Sequence, residues 1–226
     1  MSFHTDMKLA SISIEIHALK DGFELIKSTL DKLKASEKDK LEKALRSSQI
    51  LDEDELIDLH QELYQKVDIF YPRLFWGPYL ITIFSVFESC TQELTEYIRE
   101  HKCCKLKLDD LNGSLLEKLK LYYSSVLDNN YFIDNPSWKT LTDLCKVRNC
   151  FAHSNGRFSI LKPNKHEKPI LKLVSQKIGI KEFSGVVVID SDFVSRCLES
   201  VSNVIEDLKI LYINLHDDKI ECSRST

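Results

Sequence analysis

Glycine is scarce in this chain, with six among 226 residues, and proline is scarcer at five. A β-rich protein needs turn residues at short intervals, so this shortage favours long helices. No uninterrupted apolar run approaches the roughly 18 residues that a membrane-spanning helix needs. The seven cysteines are an odd number and form no CxxC pair, so neither a disulfide framework nor a zinc ribbon is suggested. Met1 to Thr5 is polar, and no apolar core of signal length follows it. The expected setting is therefore the cytoplasm, with reduced thiols and no membrane partner. A strong charge of one sign is also missing. At a net charge of −4 the whole molecule does not attract nucleic acid, so any RNA contact must come from a local patch. P-loop, G-x-G-x-x-G and G-x-S-x-G patterns are absent, which removes the commonest nucleotide and hydrolase readings.

What the chain does contain is helical periodicity. Leu9, Ile12, Ile16, Leu19, Phe23, Ile26, Leu30 and Leu33 step by alternating threes and fours. That heptad seam predicts a helix over about 7–35. It admits two uses, packing inside its own chain or against a second copy. Its shortness and Gly22 favour the first. Residues 36–49 are charged and read as a solvated helix or connector. Asp52, with Glu55 three residues on, predicts a capped helix to about Phe70, with Leu56, Leu59, Leu63, Val67 and Phe70 inward. Tyr71-Pro72 and Gly77-Pro78 read as punctuation around an aromatic cluster. A core helix then runs to about Glu100 on Leu80, Ile83, Phe84, Phe87, Leu94 and Ile98.

Ser114 with Glu117 predicts a further capped helix, and Trp138 to His153 another, its buried stripe being Leu141, Leu144, Cys145 and Phe151. Beyond Gly156 three short strands are predicted, at 157–161, 170–174 and 185–189. Asp190 or Ser191 caps a last helix to about Leu215. The fold class expected is mainly α, a helical bundle with a small β insertion at about 157–190. Residues 1–50 form an N-terminal helical extension packed on a domain of 51–216, and 217–226 are a disordered tail.

The residues richest in chemistry are Arg148-Asn149-Cys150-Phe151-Ala152-His153, closed by Ser154-Asn155-Gly156. A guanidinium grips phosphate oxygens in a bidentate fork, and an imidazole moves protons near neutral pH. On an ideal helix Arg148 and His153 lie about 140° apart and roughly 7.5 Å along the axis. Asn149 and His153, one turn apart, share a face. Two copies packing their motif helices together would bring both histidines and both arginines into one cleft. On spacing alone, capping of the helix's carbonyl end accounts for the same two cations.

The pattern W-x5-L-x3-R-N-x3-H-x2-G, starting at Trp138, precedes strands and a closing amphipathic helix. It follows an apolar helix that bears Ser85 and Glu88. It resembles the HEPN superfamily, over about Pro78 to Leu215. Active members of that superfamily carry such an arginine–histidine motif at a helix end and cut RNA without a metal. The resemblance implies a homodimer with the site at its interface, catalytic Arg148 and His153, support from Asn149 and Ser154, and no cofactor or metal. It further implies a toxin or anti-phage effector, with an antitoxin or defence protein as a possible partner. One position departs from the pattern. Where silenced toxins of the superfamily carry a modifiable tyrosine, two residues after the histidine, this chain has Asn155, so regulation by tyrosine adenylylation does not carry over.

Weaker features complete the reading. Arg157, Lys162 and Lys165 start a basic stretch suited to guiding an RNA backbone, although lysines also protect hairpin edges. His101, Cys103 and Cys104 lack a second pair with zinc spacing and read as a surface turn. Asp52 to Glu55 reads as an acidic helix start. Two rival functions remain open: a catalytically inactive HEPN scaffold that binds RNA, nucleotide or a partner protein, and a helical adaptor using the Leu9–Leu33 seam.

Overall fold

A computed structural model describes residues 3–47, 52–158 and 167–224. The protein is mainly helical, and its described residues include one two-stranded antiparallel sheet. In chain order the elements are α1 (Phe3–Ser47), α2 (Glu53–Tyr64), a π-helical stretch (Gln65–Phe70), α3 (Tyr71–His101), a 3-10 turn (Leu108–Asp110), α4 (Leu115–Ser125), α5 (Tyr131–Asp134), α6 (Trp138–Ser154), α7 (Lys168–Ser175), β1 (Ile180–Phe183), β2 (Val186–Ile189) and α8 (Ser191–Arg224). Among the described residues, no helix is long and apolar enough to cross a membrane.

The chain divides into two compact units. The first holds Met1–Leu19, Thr82–Cys145 and Arg196–Thr226, and the second holds Lys20–Ile81 and Lys146–Ser195. This division cuts across the expected boundary at residue 50, because α1 contributes to both units. The charged stretch after residue 35 continues α1 to Ser47. The expected tail likewise continues α8 to Arg224.

Unit one is built on aromatic and aliphatic burial. Phe87, Leu94 and Ile98 of α3, Leu119 and Tyr123 of α4, and Leu208 of α8 are almost fully inaccessible. Phe132 of α5 meets the Tyr123 ring edge-on at 4.7 Å and lies 5.4 Å from the Trp138 ring. The first half of the α1 seam, Leu9 to Leu19, is buried within the single chain, as its intramolecular reading expects. Lys209 Nζ donates to Ser13 Oγ at 2.8 Å on the polar side. The expected caps form. Glu117 Oε2 accepts from the Ser114 amide at 2.8 Å, and Ser114 Oγ accepts from the Glu117 amide at 3.5 Å.

Unit two holds the second half of the seam. Phe23 stacks on Trp76 with ring centroids 5.3 Å apart, and Gly22 lies against the Tyr79 ring. Asp52 and Glu55 make their reciprocal cap at the start of α2. The inward face expected for this region does not follow, however. No residue of α2 is buried, and Leu56 and Phe70 are exposed while Val67 and Ile69 are buried. Nor does Tyr71-Pro72 interrupt the helix. Proline has no N–H to offer the carbonyl four residues back, and its ring crowds that carbonyl. The π turn just before it resolves both problems by shifting to i→i+5 bonding, as in Tyr71 N–H to Lys66 O. The wider turn also breaks the 3.6-residue period that placed Phe70 inward.

Glu37 of α1 is clamped at this turn by Lys66 at 2.8 Å and Lys40 at 2.7 Å. Hydrogen bonds from Lys40 and then Lys66 hold its carboxyl down at about 2, from an ordinary 4.5. A depressed carboxyl stabilises the fold fully above the unfolded value and loses that contribution as pH falls through the folded one. Denaturation midpoints of wild type and Glu37→Gln are therefore expected to keep a constant gap above pH 4.5 that closes between there and about 2. A gap independent of pH would contradict this role for the clamp.

After Gly156 the predicted strand pattern is corrected. Of the first strand, Arg157 forms an isolated bridge to Val186 and the Phe158 amide donates to Gly185 O at 2.8 Å, while residues 159–161 lie outside the described residues. Residues 170–174 are helical, within α7. Ile170 and Leu173, three apart, are its buried pair, and Pro169 sits in its first turn, where a missing N–H does no harm. Ile170, Leu171, Leu173 and Val174 fit an i, i+1, i+3, i+4 face as well as a short apolar strand, and the helical face prevails. The strand expected at 185–189 appears as β2, paired with β1 through a two-residue turn at Ser184 and Gly185, with Phe183 opposite Val186.

Candidate functional site

The motif helix α6 starts after an Asx turn, in which the Ser137 amide donates to Asn135 Oδ1 at 2.8 Å. Leu141, Leu144, Val147, Cys150 and Phe151 are buried along it, whereas Cys145 is only half-buried. This apolar stripe fixes the rotation of the helix, and with it the direction in which the polar motif residues face.

Its carbonyl end is locked by three devices, all within unit two. Asn155 and Gly156 take left-handed φ values of 49° and 75°, which stops the helix and turns the chain toward β2. The Val187 amide then donates to Gly156 O at 2.8 Å. Phe151 is a wedge. A Cβ on Gly77 of α3 would lie 2.2 Å from its ring, and one on Gly156 would lie 3.1 Å from it. Only a residue without a side chain lets α3 approach the ring so closely. Finally, Arg73 of α3, 3% exposed, donates from Nε to Asn155 O at 2.9 Å.

Against this frame the expected site residues separate. His153 lies exposed in the last turn of α6. Asn149, one turn earlier, is half-buried, as is Arg148. Ideal helix geometry turns Arg148 away from the face that Asn149 shares with His153, but its Nη1 donates to Asn149 Oδ1 at 3.0 Å, so the guanidinium is tied to the residue beside it. Ser154 differs from its expected supporting role. It is buried, and its hydroxyl donates to Cys150 O at 2.7 Å, within its own helix. Burial also pushes the Cys150 thiol above its ordinary pKa, which keeps it protonated and a poor nucleophile. Arg157 is exposed just beyond the helix end. Lys162 and Lys165 lie outside the described residues. Among the described residues, no three His, Cys, Asp or Glu side chains cluster as metal ligands would.

Arg73 is the residue that the sequence reading misses. Tyr71-Pro72 reads there as a chain break, which hides the fact that α3 already runs through this position. The usable signal is a lone charge in the aromatic and apolar stretch from Phe70 to Tyr79. A cation inside such a stretch needs a polar partner, and the partner here is the end of the motif helix.

No family model matches the chain, and no curated protein or solved structure is significantly similar to it.

Proposed function

We propose that this protein is a metal-independent endoribonuclease of HEPN type, acting as a homodimer whose motif helices share one cleft. The observation that carries this reading is the arrangement at the end of α6. An exposed imidazole stands one turn from an amide that already holds a guanidinium at 3.0 Å. The ribose 2′-hydroxyl attacks the adjacent phosphorus, one imidazole taking its proton while the imidazole of the second copy protonates the departing 5′-oxygen. The products are a 2′,3′-cyclic phosphate and a 5′-hydroxyl. Arg148 stabilises the negative charge that builds on the phosphorane oxygens, and Asn149 orients the Arg148 guanidinium. No cofactor takes part. The setting proposed with it is cytoplasmic, as a toxin or anti-phage effector restrained by a partner protein.

Two copies are required because a single α6 supplies one imidazole and one guanidinium to a reaction that uses an acid and a base. Light scattering at micromolar concentration is expected to give twice the chain mass. A strict monomer that still cleaves RNA would contradict the shared cleft.

A further inference from the structure

The Arg73 guanidinium is almost wholly buried, yet it forms no ion pair among the described residues. A guanidinium stays charged throughout the range in which proteins fold, and burying it without an anion is unfavourable. The charge nearby is another cation. Burial, and then the nearby charge of Arg157, hold its pKa below the ordinary arginine value. Arg157 is exposed, and its backbone is pinned by the hydrogen bond its amide donates to Ser154 O at 3.0 Å and by the bridge to Val186. Capping of α6 explains the Nε bond to Asn155. It does not explain why the backbone of a second arginine, Arg157, is held two residues beyond that bond. Among the described residues only one of the five N–H donors of Arg73 is engaged, which leaves both terminal nitrogens for a two-pronged grip on an oxyanion. The cleft of about 380 Å³ elsewhere in the same unit differs, since its Lys34 is already paired with Asp68.

We propose that Arg73 and Arg157 form an oxyanion subsite that holds one backbone phosphate of the RNA beside the motif. This inference rests on the ribonuclease reading and adds to it a contact that fixes the register of the strand. Arg73 is here a binding residue, apart from the proton-transfer and charge-stabilising groups.

The test uses the full chain carrying His153→Ala, so that RNA survives the titration, with labelled single-stranded RNA in EDTA between about 50 and 200 mM salt. Adding Arg73→Gln or Arg157→Gln is expected to weaken low-salt binding by about tenfold. Each is expected to reduce the slope of log affinity against log salt by about 0.7. Because Arg73→Gln also removes a helix cap, Arg157→Gln is the control that keeps the wild-type melting temperature. Inorganic phosphate is the second probe, expected to raise the melting temperature of the wild type and not that of Arg73→Gln. Unchanged slopes in folded variants would overturn the subsite, as would equal stabilisation of both proteins by phosphate. Stabilisation by phosphate that needs Arg73, with no RNA binding at all, would reject the ribonuclease reading and leave an oxyanion site of another use.

Discussion

His153→Ala is expected to lose about 10²–10⁴-fold in RNA cleavage rate, the range that a positioned acid or base contributes. Its melting temperature should stay at the wild-type value, because the imidazole is exposed and substitutions at such positions shift stability by only about 0.5 kcal/mol. Arg148→Ala should lose about 10²–10³-fold through missing charge stabilisation. Ser154→Ala is the informative contrast. Its hydroxyl bonds to Cys150 O inside the chain, so its removal should lower stability by about 0.5–1.5 kcal/mol and leave the cleavage rate of the folded protein unchanged. Rates measured on labelled RNA in EDTA, beside thermal melts of each variant, separate the two classes. Equal cleavage by wild type, His153→Ala and Arg148→Ala would remove both residues from the chemistry.

Phe151→Ala is expected to cost about 3–5 kcal/mol, the usual penalty for emptying a large aromatic site in a packed core. The ring is 4% exposed and fills the space between Gly77 and Gly156. Gly77→Ala attacks the same contact from the opposite side. Its new methyl would start 2.2 Å from the ring, and overpacking of this kind costs about 1–3 kcal/mol. Combining the two should cost less than the sum of the singles by about 0.5–3 kcal/mol, since the added methyl enters the space the ring has left. Denaturant titration of the four proteins measures that coupling. Strict additivity would mean that Gly77 and Phe151 do not meet. The same pair links stability to the proposed activity, because the wedge sets where the last turn of α6 holds His153.

Much of this framework could be read from the residues. The α1 seam, the reciprocal caps at Asp52 and Ser114, the apolar face of α3 and the span of α6 all follow from local rules, and each appears where those rules place it. The failures have a common cause, in that a local signal was outweighed by context. Pro72 breaks a regular α-helix but not one that widens to a π turn first. Residues 170–174 are too short an apolar run to distinguish strand from helix by period alone. At the site, Arg148 and His153 stand out by residue type, whereas Arg73 stands 82 positions before its hydrogen-bond partner and no local pattern connects them. The reach of Arg148 toward Asn149 depends on side-chain length, which an angle around an ideal helix leaves out.

The most direct measurement compares two labelled oligonucleotides in EDTA, one all-ribose and one with a single 2′-deoxy sugar at the cut position. Intramolecular attack predicts that the first is cleaved to a 2′,3′-cyclic phosphate and a 5′-hydroxyl, while the second stays intact at that position. Cleavage of both at equal rates, or products with 5′-phosphate ends, would contradict the proposed chemistry of Arg148 and His153.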